Sequence, residues 1–459
     1  MSQLYHFIGI GGIGMSALAR ILVQQGSSVT GSDRVLSPLT EELELAGAQI
    51  FSHHCASNIS PLATVVYSSD IKPDNPEWVE AKKLRLPLLH RSELLAQLME
   101  SSQSLLVTGT HGKTTSSSLL AHVLHSIEWD PTFAVGGVLK NYWVNSRAGH
   151  GRYFVAEADE SDGSFLAYPD AAGAIITNIG LDHLNYWGSE AALMQGFKDF
   201  STKIKSAKHL LWCKDDLRLA QMSLEGVSYG FDPDADVYIS DFIQQGGVSS
   251  FSLRIDDVVY KAIELPLIGR HNALNAAAVF ALVLGLTGNE KEIRQAFSSF
   301  RGVSRRADKV GEEQGVGIYD DYGHHPTEVS STVSAFKQAF ADRRIILVFQ
   351  PHRYTRMKDC IDEFPQAFTQ ADVVVLTDLY AAGEAPIEGV STQALYEKVI
   401  SSASENIYHI RQDALIAFLV GFVKEGDLVI TMGAGDITKQ GPLLLERLRS
   451  LGKNYVTET

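Results

Sequence analysis

A chain of 459 residues is too long for one ordinary hydrophobic core and points to about three domains. With 45% apolar and 20% charged residues it has the composition of a folded globular protein, and its net charge of −15 excludes a general nucleic-acid or anionic-membrane surface, leaving room only for a local basic cleft around small phosphates. Its three cysteines, Cys55, Cys213 and Cys360, are scattered without CxxC spacing, which excludes a disulfide framework or cysteine zinc site and fits a reducing cytoplasm.

No Lys or Arg precedes Arg20, so no signal peptide is expected. The longest apolar run, Ala273 to Leu286, contains Asn275 and falls short of the ~20 residues a bilayer span needs, so a core helix and no membrane partner are expected. From Leu4 to about Glu100, short apolar runs (Tyr5 to Ile10, Ser28 to Ser32, Thr64 to Tyr67) alternate with helix-length stretches, the pattern of a parallel α/β sheet. This is a first domain over 1–100.

A second α/β pattern follows the polar link Ser101 to Ser104, with strands near Leu105, Tyr153 and Ala174. It turns β-rich over Val227 to Pro266, where Gly246-Gly247 predicts a hairpin turn, and ends with a helix over Asn272 to Leu286. This second domain covers 101–304. Alternation then resumes with Ile345 to Phe349, Val373 to Thr377 and Leu428 to Met432, giving a third domain over 305–459 whose tail after Leu451 is expected to fray.

"FIGIGGIGMSALA" sets Gly9, Gly11, Gly12 and Gly14 between a strand and a helix, where exposed backbone N–H groups and the helix dipole attract phosphate. Asp33, nineteen residues after Gly14, follows a second strand and suits a ribose diol. A tight turn without ligand is the plain alternative, and an NAD-type cofactor or another nucleotide diphosphate fits equally.

"VTGTHGKTTSSSLL" resembles a phosphate loop, but the position that normally carries the first glycine is Val107, and the nearest glycine is Gly109. Lys113 would place a positive charge on the β and γ phosphates, and Thr114, seconded by Thr115, a hard oxygen on Mg²⁺. A capped helix start with a solvated lysine is the alternative. "YFVAEADESDGS" runs a strand into Glu157, Asp159, Glu160 and Asp162, of which Glu157 comes first and is the expected magnesium ligand. "AIITNIGLDHLNYW" repeats the geometry and offers His183 for a second metal.

Asn272 and Asn275 open the apolar helix, where they can read an adenine edge or merely cap it. In "IYDDYGHHPTE" and "VFQPHRYTR", Asp321 suits a ribose, while His352, Arg353 and Arg356 can clamp a carboxylate or phosphate. Surface salt bridges are the alternative there.

Taken together, "GIGGIGMS", "TGTHGKTT", "AEADESD", "TNIGLDHL", "GRHNALNAA", "GVSRR", "DDYGHHPTE", "FQPHRYTR", "YAAGEAPI" and "MGAGD" resemble the Mur ligases, in order and over essentially the whole chain. Members of that family use a shortened TGTxGKT loop. The resemblance implies three α/β domains: a Rossmann-like N-terminal domain for the UDP-sugar, a central P-loop-type ATPase domain with a β-rich part, and a Rossmann-like C-terminal domain.

It implies the branch that joins L-alanine to the lactyl carboxylate of UDP-N-acetylmuramate through an acyl phosphate, with ATP and Mg²⁺. The nucleotide would then lie on Gly109, Thr110, His111, Gly112, Lys113, Thr114, Thr115, Asn272, Asn275, Arg306 and Asp321. The UDP-sugar would lie on Gly11, Gly12, Ile13, Gly14, Met15, Ser16 and Asp33, and L-alanine on Tyr322, His352, Arg353 and Arg356.

Lys113, Glu157 and His183 would be catalytic, and Thr114, Glu157 and His183 would hold metal. Two details depart from the family: Ala307 stands where an aromatic often follows the arginine pair, and Asp70 where alanine is usual. A homodimer is left open. The rivals are the ligase that attaches a murein tripeptide to the same sugar nucleotide, a nicotinamide dehydrogenase, and a nucleotide-regulated binding protein.

Overall fold

Apolar residues that fill both faces of a strand commit it to the middle of a sheet covered on each side, and this pattern recurs along the chain. In the computed structural model, which describes residues 3–401 and 406–456, these strands assemble into three separate sheets.

The first sheet has the order β3-β2-β1-β4-β5, from β1 (Leu4–Ile8), β2 (Ser28–Ser32), β3 (Gln49–Phe51), β4 (Thr64–Tyr67) and β5 (Leu88–His90), all parallel. Phe7 and Val66 bury one face of it under Leu18 and Leu22 of the helix Ile13–Gln24. Ile8 and Val65 bury the other with Ala81.

The second sheet is built on β6 (Gln103–Thr108), β7 (Thr132–Leu139), β8 (Val144–Arg147), β9 (Tyr153–Glu157), β10 (Gly173–Ile176), β11 (Leu210–Cys213) and β12 (Val227–Gly230). It extends through β13 (Val237–Gln245), β14 (Val248–Ile255) and β15 (Val258–Leu265), in the order β15-β14-β13-β12-β11-β10-β6-β9-β7-β8. The turn between β13 and β14 falls on Gly246 and Gly247, both left-handed at φ 59° and 94°, as the glycine pair predicts. β6 lies between β9 and β10, so the loops leaving all three strands open at the same edge.

The third sheet runs β16-β17-β21-β18-β19-β20, from β16 (Asp308–Glu313), β17 (Val316–Asp321), β18 (Ile345–Phe349), β19 (Val373–Leu376), β20 (Ile407–His409) and β21 (Leu428–Met432). Only β16 is antiparallel to its neighbour. Along β18, Ile345, Leu347 and Phe349 enter one core and Ile346 and Val348 the other, the period of two that a strand imposes.

The chain divides into two compact units. One holds residues 1–241, 251–263 and 274–301, and so both the first sheet and the phosphate loop; the other holds 242–250, 264–273 and 302–459. Among the described residues no helix is long and apolar enough to cross a membrane. The final helix, Gln440–Val456, passes the expected fraying point at Leu451, and 457–459 lie outside the described residues.

Candidate functional site

The glycine turn forms where the sequence places it. Gly9 N and Ile10 N donate to Ser32 O at 2.8 and 3.0 Å, and Gly12 caps the helix that follows. Asp33, expected to accept from a ribose diol, also closes the turn: its Oδ2 accepts from Gly11 N at 2.8 Å and its Oδ1 from Val35 N at 3.1 Å. Met15 and Ser16 are buried, so their side chains belong to the core. Gly12 and Ile13 are the exposed part of the turn, with Gly11 and Gly14 half-buried on either side.

The phosphate loop joins β6 to the helix Lys113–Ser126. Its shortened form is tied to the strand exit after β10. Thr110 N donates to Asn178 O (3.1 Å), His111 N to Asn178 Oδ1 (2.9 Å), Thr177 Oγ1 to His111 O (2.6 Å) and Gly180 N to Thr110 Oγ1 (2.7 Å). Thr177 and Asn178 therefore shape the loop, and the sequence reading assigned neither. Asn275 lies against Gly112: a Cβ there would meet its Oδ1 at 2.8 Å. Thr115 is half-buried on the first helical turn.

Each carboxylate of "EADESD" has its own partner. Glu157, at the end of β9, accepts from Thr114 Oγ1 (3.3 Å) and Ser117 Oγ (3.2 Å) and from Gly136 N. Thr114 and Ser117 are one helical turn apart, which is why both reach it. These hard oxygens fit Mg²⁺, which needs few protein ligands once phosphates supply the rest.

Glu160 holds the loop lysine: Lys113 Nζ donates to Glu160 Oε2 at 2.7 Å and to Thr110 O at 3.3 Å, and Glu160 is 1% exposed. Burial opposes the Lys113 charge, but the carboxylates of Glu160, Asp159 and Glu157 more than offset it and hold the ammonium above its ordinary pKa. Burial alone would raise the Asp159 carboxyl, yet Lys113 and Arg91 draw it down to about 2.

His183 stands at φ 58° before the short helix Leu184–Trp187, with Asp182 Oδ2 3.6 Å from its Nε2. Among the described residues no three His, Cys, Asp or Glu side chains converge as a metal site.

In the other unit, both oxygens of Asp321 are engaged, by Ala307 N and Gly323 N at 2.7 Å each. The expected ribose acceptor thus also pins the "SRRA" loop to the "DDYG" loop. Arg305 donates to Gly433 O (2.7 Å) and Gly435 O (3.1 Å) and lies 3.5 Å from Asp320, whereas Arg306 has a looser ion pair with Glu328 at 3.9 Å. Both guanidiniums lie over the Tyr322 ring, at 4.9 and 5.1 Å. Asn272 donates to Ile268 O at 2.8 Å.

His352 stacks on Tyr380 (5.7 Å, 7°) and its Nδ1 lies 3.3 Å from Arg356 Nη1. Arg353, exposed at φ 65°, caps the same helix, Tyr354–Cys360. Burial, reinforced by His324, Arg356 and Arg353, lowers His352 to about 3, and burial lowers His324 to about 4. Both imidazoles are neutral at physiological pH, so the cationic charge beside Tyr322 comes from arginine. His324, which the sequence offered only as part of a polar loop, lies 5.8 Å from His352 ring to ring.

Burial raises Asp321 to about 6 against the pull of Arg306. The native state then binds this proton more tightly than the unfolded chain, so the group's contribution to stability falls as pH rises from 3.8 to about 6 and levels off above. Urea titrations across that window are expected to show stability changing more negatively with rising pH in the wild type than in Asp321→Asn. Equal slopes would contradict the assignment.

Three domain descriptions of one family match in chain order: "Mur ligase family, catalytic domain" over residues 4–103, "Mur ligase middle domain" over 107–283 and "Mur ligase, glutamate ligase domain" over 305–435. The UDP-N-acetylmuramate–L-alanine ligase of Protochlamydia amoebophila is 47% identical over 98% of this chain and 99% of its own. A bifunctional MurC/Ddl enzyme of Chlamydia pneumoniae is 41% identical over 96% of this chain and 54% of its own length. Among solved structures, the UDP-N-acetylmuramate-alanine ligase of Thermotoga maritima matches with a TM-score of 0.86 and 28% identity over 98% of this chain and all of that one. A murein peptide ligase of Psychrobacter arcticus shares the fold at a TM-score of 0.70 and 23% identity. Likeness that runs through all three domains, in order and nearly end to end, leaves one conclusion: the chain belongs to the Mur ligase family.

Proposed function

We propose that the chain joins L-alanine to the lactyl carboxylate of UDP-N-acetylmuramate at the cost of ATP, a step of peptidoglycan precursor synthesis. Likeness over nearly the whole chain to ligases of that name supports the reading. The observation that carries the chemistry is Lys113: a half-buried ammonium in a phosphate loop, held by a buried carboxylate that a triphosphate can replace.

A carboxylate attacking a polyphosphate brings like charges together, so the chain must offset them and hold the partners in line. Lys113 supplies the fixed cation. Thr114 and Glu157 would hold Mg²⁺, which when bound offsets further phosphate charge; His183 is the candidate for a second ion. The lactyl oxygen bonds to the γ-phosphorus as the bond to ADP breaks, giving an acyl phosphate. The alanine amine then attacks the acyl carbon, the C–O bond to phosphate breaks and the amine loses a proton.

Gly11, Gly12, Ile13 and Gly14 present the backbone that would meet the UDP diphosphate, with Asp33 holding the turn in shape. Asn275 at Gly112, together with Asn272, Arg306 and Asp321, would serve the nucleotide. Arg353 and Arg356 would take the L-alanine carboxylate beside Tyr322 and neutral His352. Domain limits at 100 and 304 fit the spacing between β5 and β6 and between β15 and β16. A cytoplasmic location matches the substrates, and sedimentation would decide whether a homodimer forms.

The test is phosphate release from ATP and Mg²⁺ with UDP-N-acetylmuramate and no amino acid, L-alanine, D-alanine or the murein tripeptide. Release that requires L-alanine is expected. Release with the tripeptide alone would transfer the chain to the peptide-attaching ligases, and no release under any condition would favour a binding protein.

A further inference from the structure

Arg91, at the start of the helix Arg91–Met99, lies where two anion sites approach each other. One edge of its guanidinium meets the glycine turn: a Cβ on Gly14 would lie 3.3 Å from Nη1, a tight approach that glycine relieves. On the other edge Nη2 donates to Asp159 Oδ2 at 3.0 Å.

A cation against the first turn of a helix opposes the helix dipole, and the helix Ile13–Gln24 carries no acidic side chain of its own in that turn; the Asp33 carboxylate on Gly11 N is the one the turn receives. An anion seated on the exposed turn would add to that compensation. Asp159 adjoins Glu160, whose Oε2 holds Lys113 and whose Oε1 is buried without a hydrogen-bond partner. The segment between them is stiff: Ser161 N donates to Asp159 Oδ1 (3.1 Å) and Trp187 Nε1 to Glu160 O (3.0 Å). Ser69 Oγ tethers the same loop through Asp162 Oδ2 at 3.2 Å. A pull on Asp159 therefore reaches the carboxylate that grips Lys113.

We infer that Arg91 is a positioning residue that couples anion binding at the glycine turn to the seating of Lys113, through Asp159 and the adjoining Glu160. The inference rests on the proposed placement of UDP-N-acetylmuramate at the turn and ATP at Lys113. A diphosphate arriving at the turn competes with Asp159 for the guanidinium. Asp159 then shifts its charge toward Lys113, and the two substrates sense each other without touching the same residue.

The experiment is calorimetric titration of the full chain with a non-hydrolysable ATP analogue and Mg²⁺, with and without saturating UDP-N-acetylmuramate. In the wild type the sugar nucleotide is expected to change the analogue's Kd by about fivefold or more. In Arg91→Ala and in Asp159→Asn the change should shrink to within about twofold, and the double variant should go no further. Phosphate-loop affinity measured without sugar nucleotide shows that each variant is folded.

A coupling factor that is the same in wild type and variants would overturn the inference, as would variants that weaken both affinities at an unchanged ratio, the mark of a packing role. A wild type that binds no UDP-N-acetylmuramate at all would instead refute the functional reading beneath it.

Discussion

Lys113→Ala is expected to lower L-alanine-dependent phosphate release by roughly a thousandfold, the scale of losing one preorganised charge in a phosphoryl-transfer site. The lysine is the fixed cation of the loop, and desolvation makes its charge count for more than it would in water. The single variant also leaves Glu160 buried beside Asp159 with no ammonium between them, so part of any loss could reflect instability.

The double variant Lys113→Ala, Glu160→Gln separates the two effects. It removes both charges of the buried pair and should recover much of the lost stability while release stays low. Steady-state release and denaturant midpoints on the two variants decide the matter. A double variant within about tenfold of wild-type activity would sink the role given to Lys113.

Gly109→Ala should be the most disruptive single methyl in the loop. Gly109 sits at φ 126°, and an added Cβ would lie 2.1 Å from Thr177 Oγ1, 2.8 Å from Asn178 O and 2.9 Å from Asn178 N. Two of those atoms are backbone, held by the bonds that fasten Thr110 and His111, so there is nowhere cheap for the strain to go. A stability loss of about 2–3 kcal/mol is expected, together with loss of measurable ATP-analogue binding. Wild-type affinity in this variant would show that Thr177 and Asn178 do not shape the loop.

Lys113, Thr114 and Glu157 were legible because each is a local event: a strand ends, the chain turns, and a side chain of the required chemistry stands at the exit. The core of the third sheet was legible for the same reason, since Ile345 to Phe349 is apolar at every position and Leu428 to Met432 at all but Thr431. The role of Glu160 was not legible by the same logic. Glu160 lies three residues beyond Glu157, in a loop where nothing in the sequence says which of several carboxylates turns inward. Asp33 and Asp321 have the residue type for a ribose, and the sequence does not say that their oxygens also accept from Gly11, Val35, Ala307 and Gly323.

What the sequence by itself determined is the order of domains, the family and the loops that carry chemistry, because hydrophobic period, glycine placement and motif spacing are properties of neighbouring residues. What only the tertiary structure decided is who holds whom: Glu160 on Lys113, Asn178 on the shortened loop, Arg91 between Gly14 and Asp159. Those partners are tens of residues apart, and their choice depends on which buried polar groups must be satisfied once the sheets have formed.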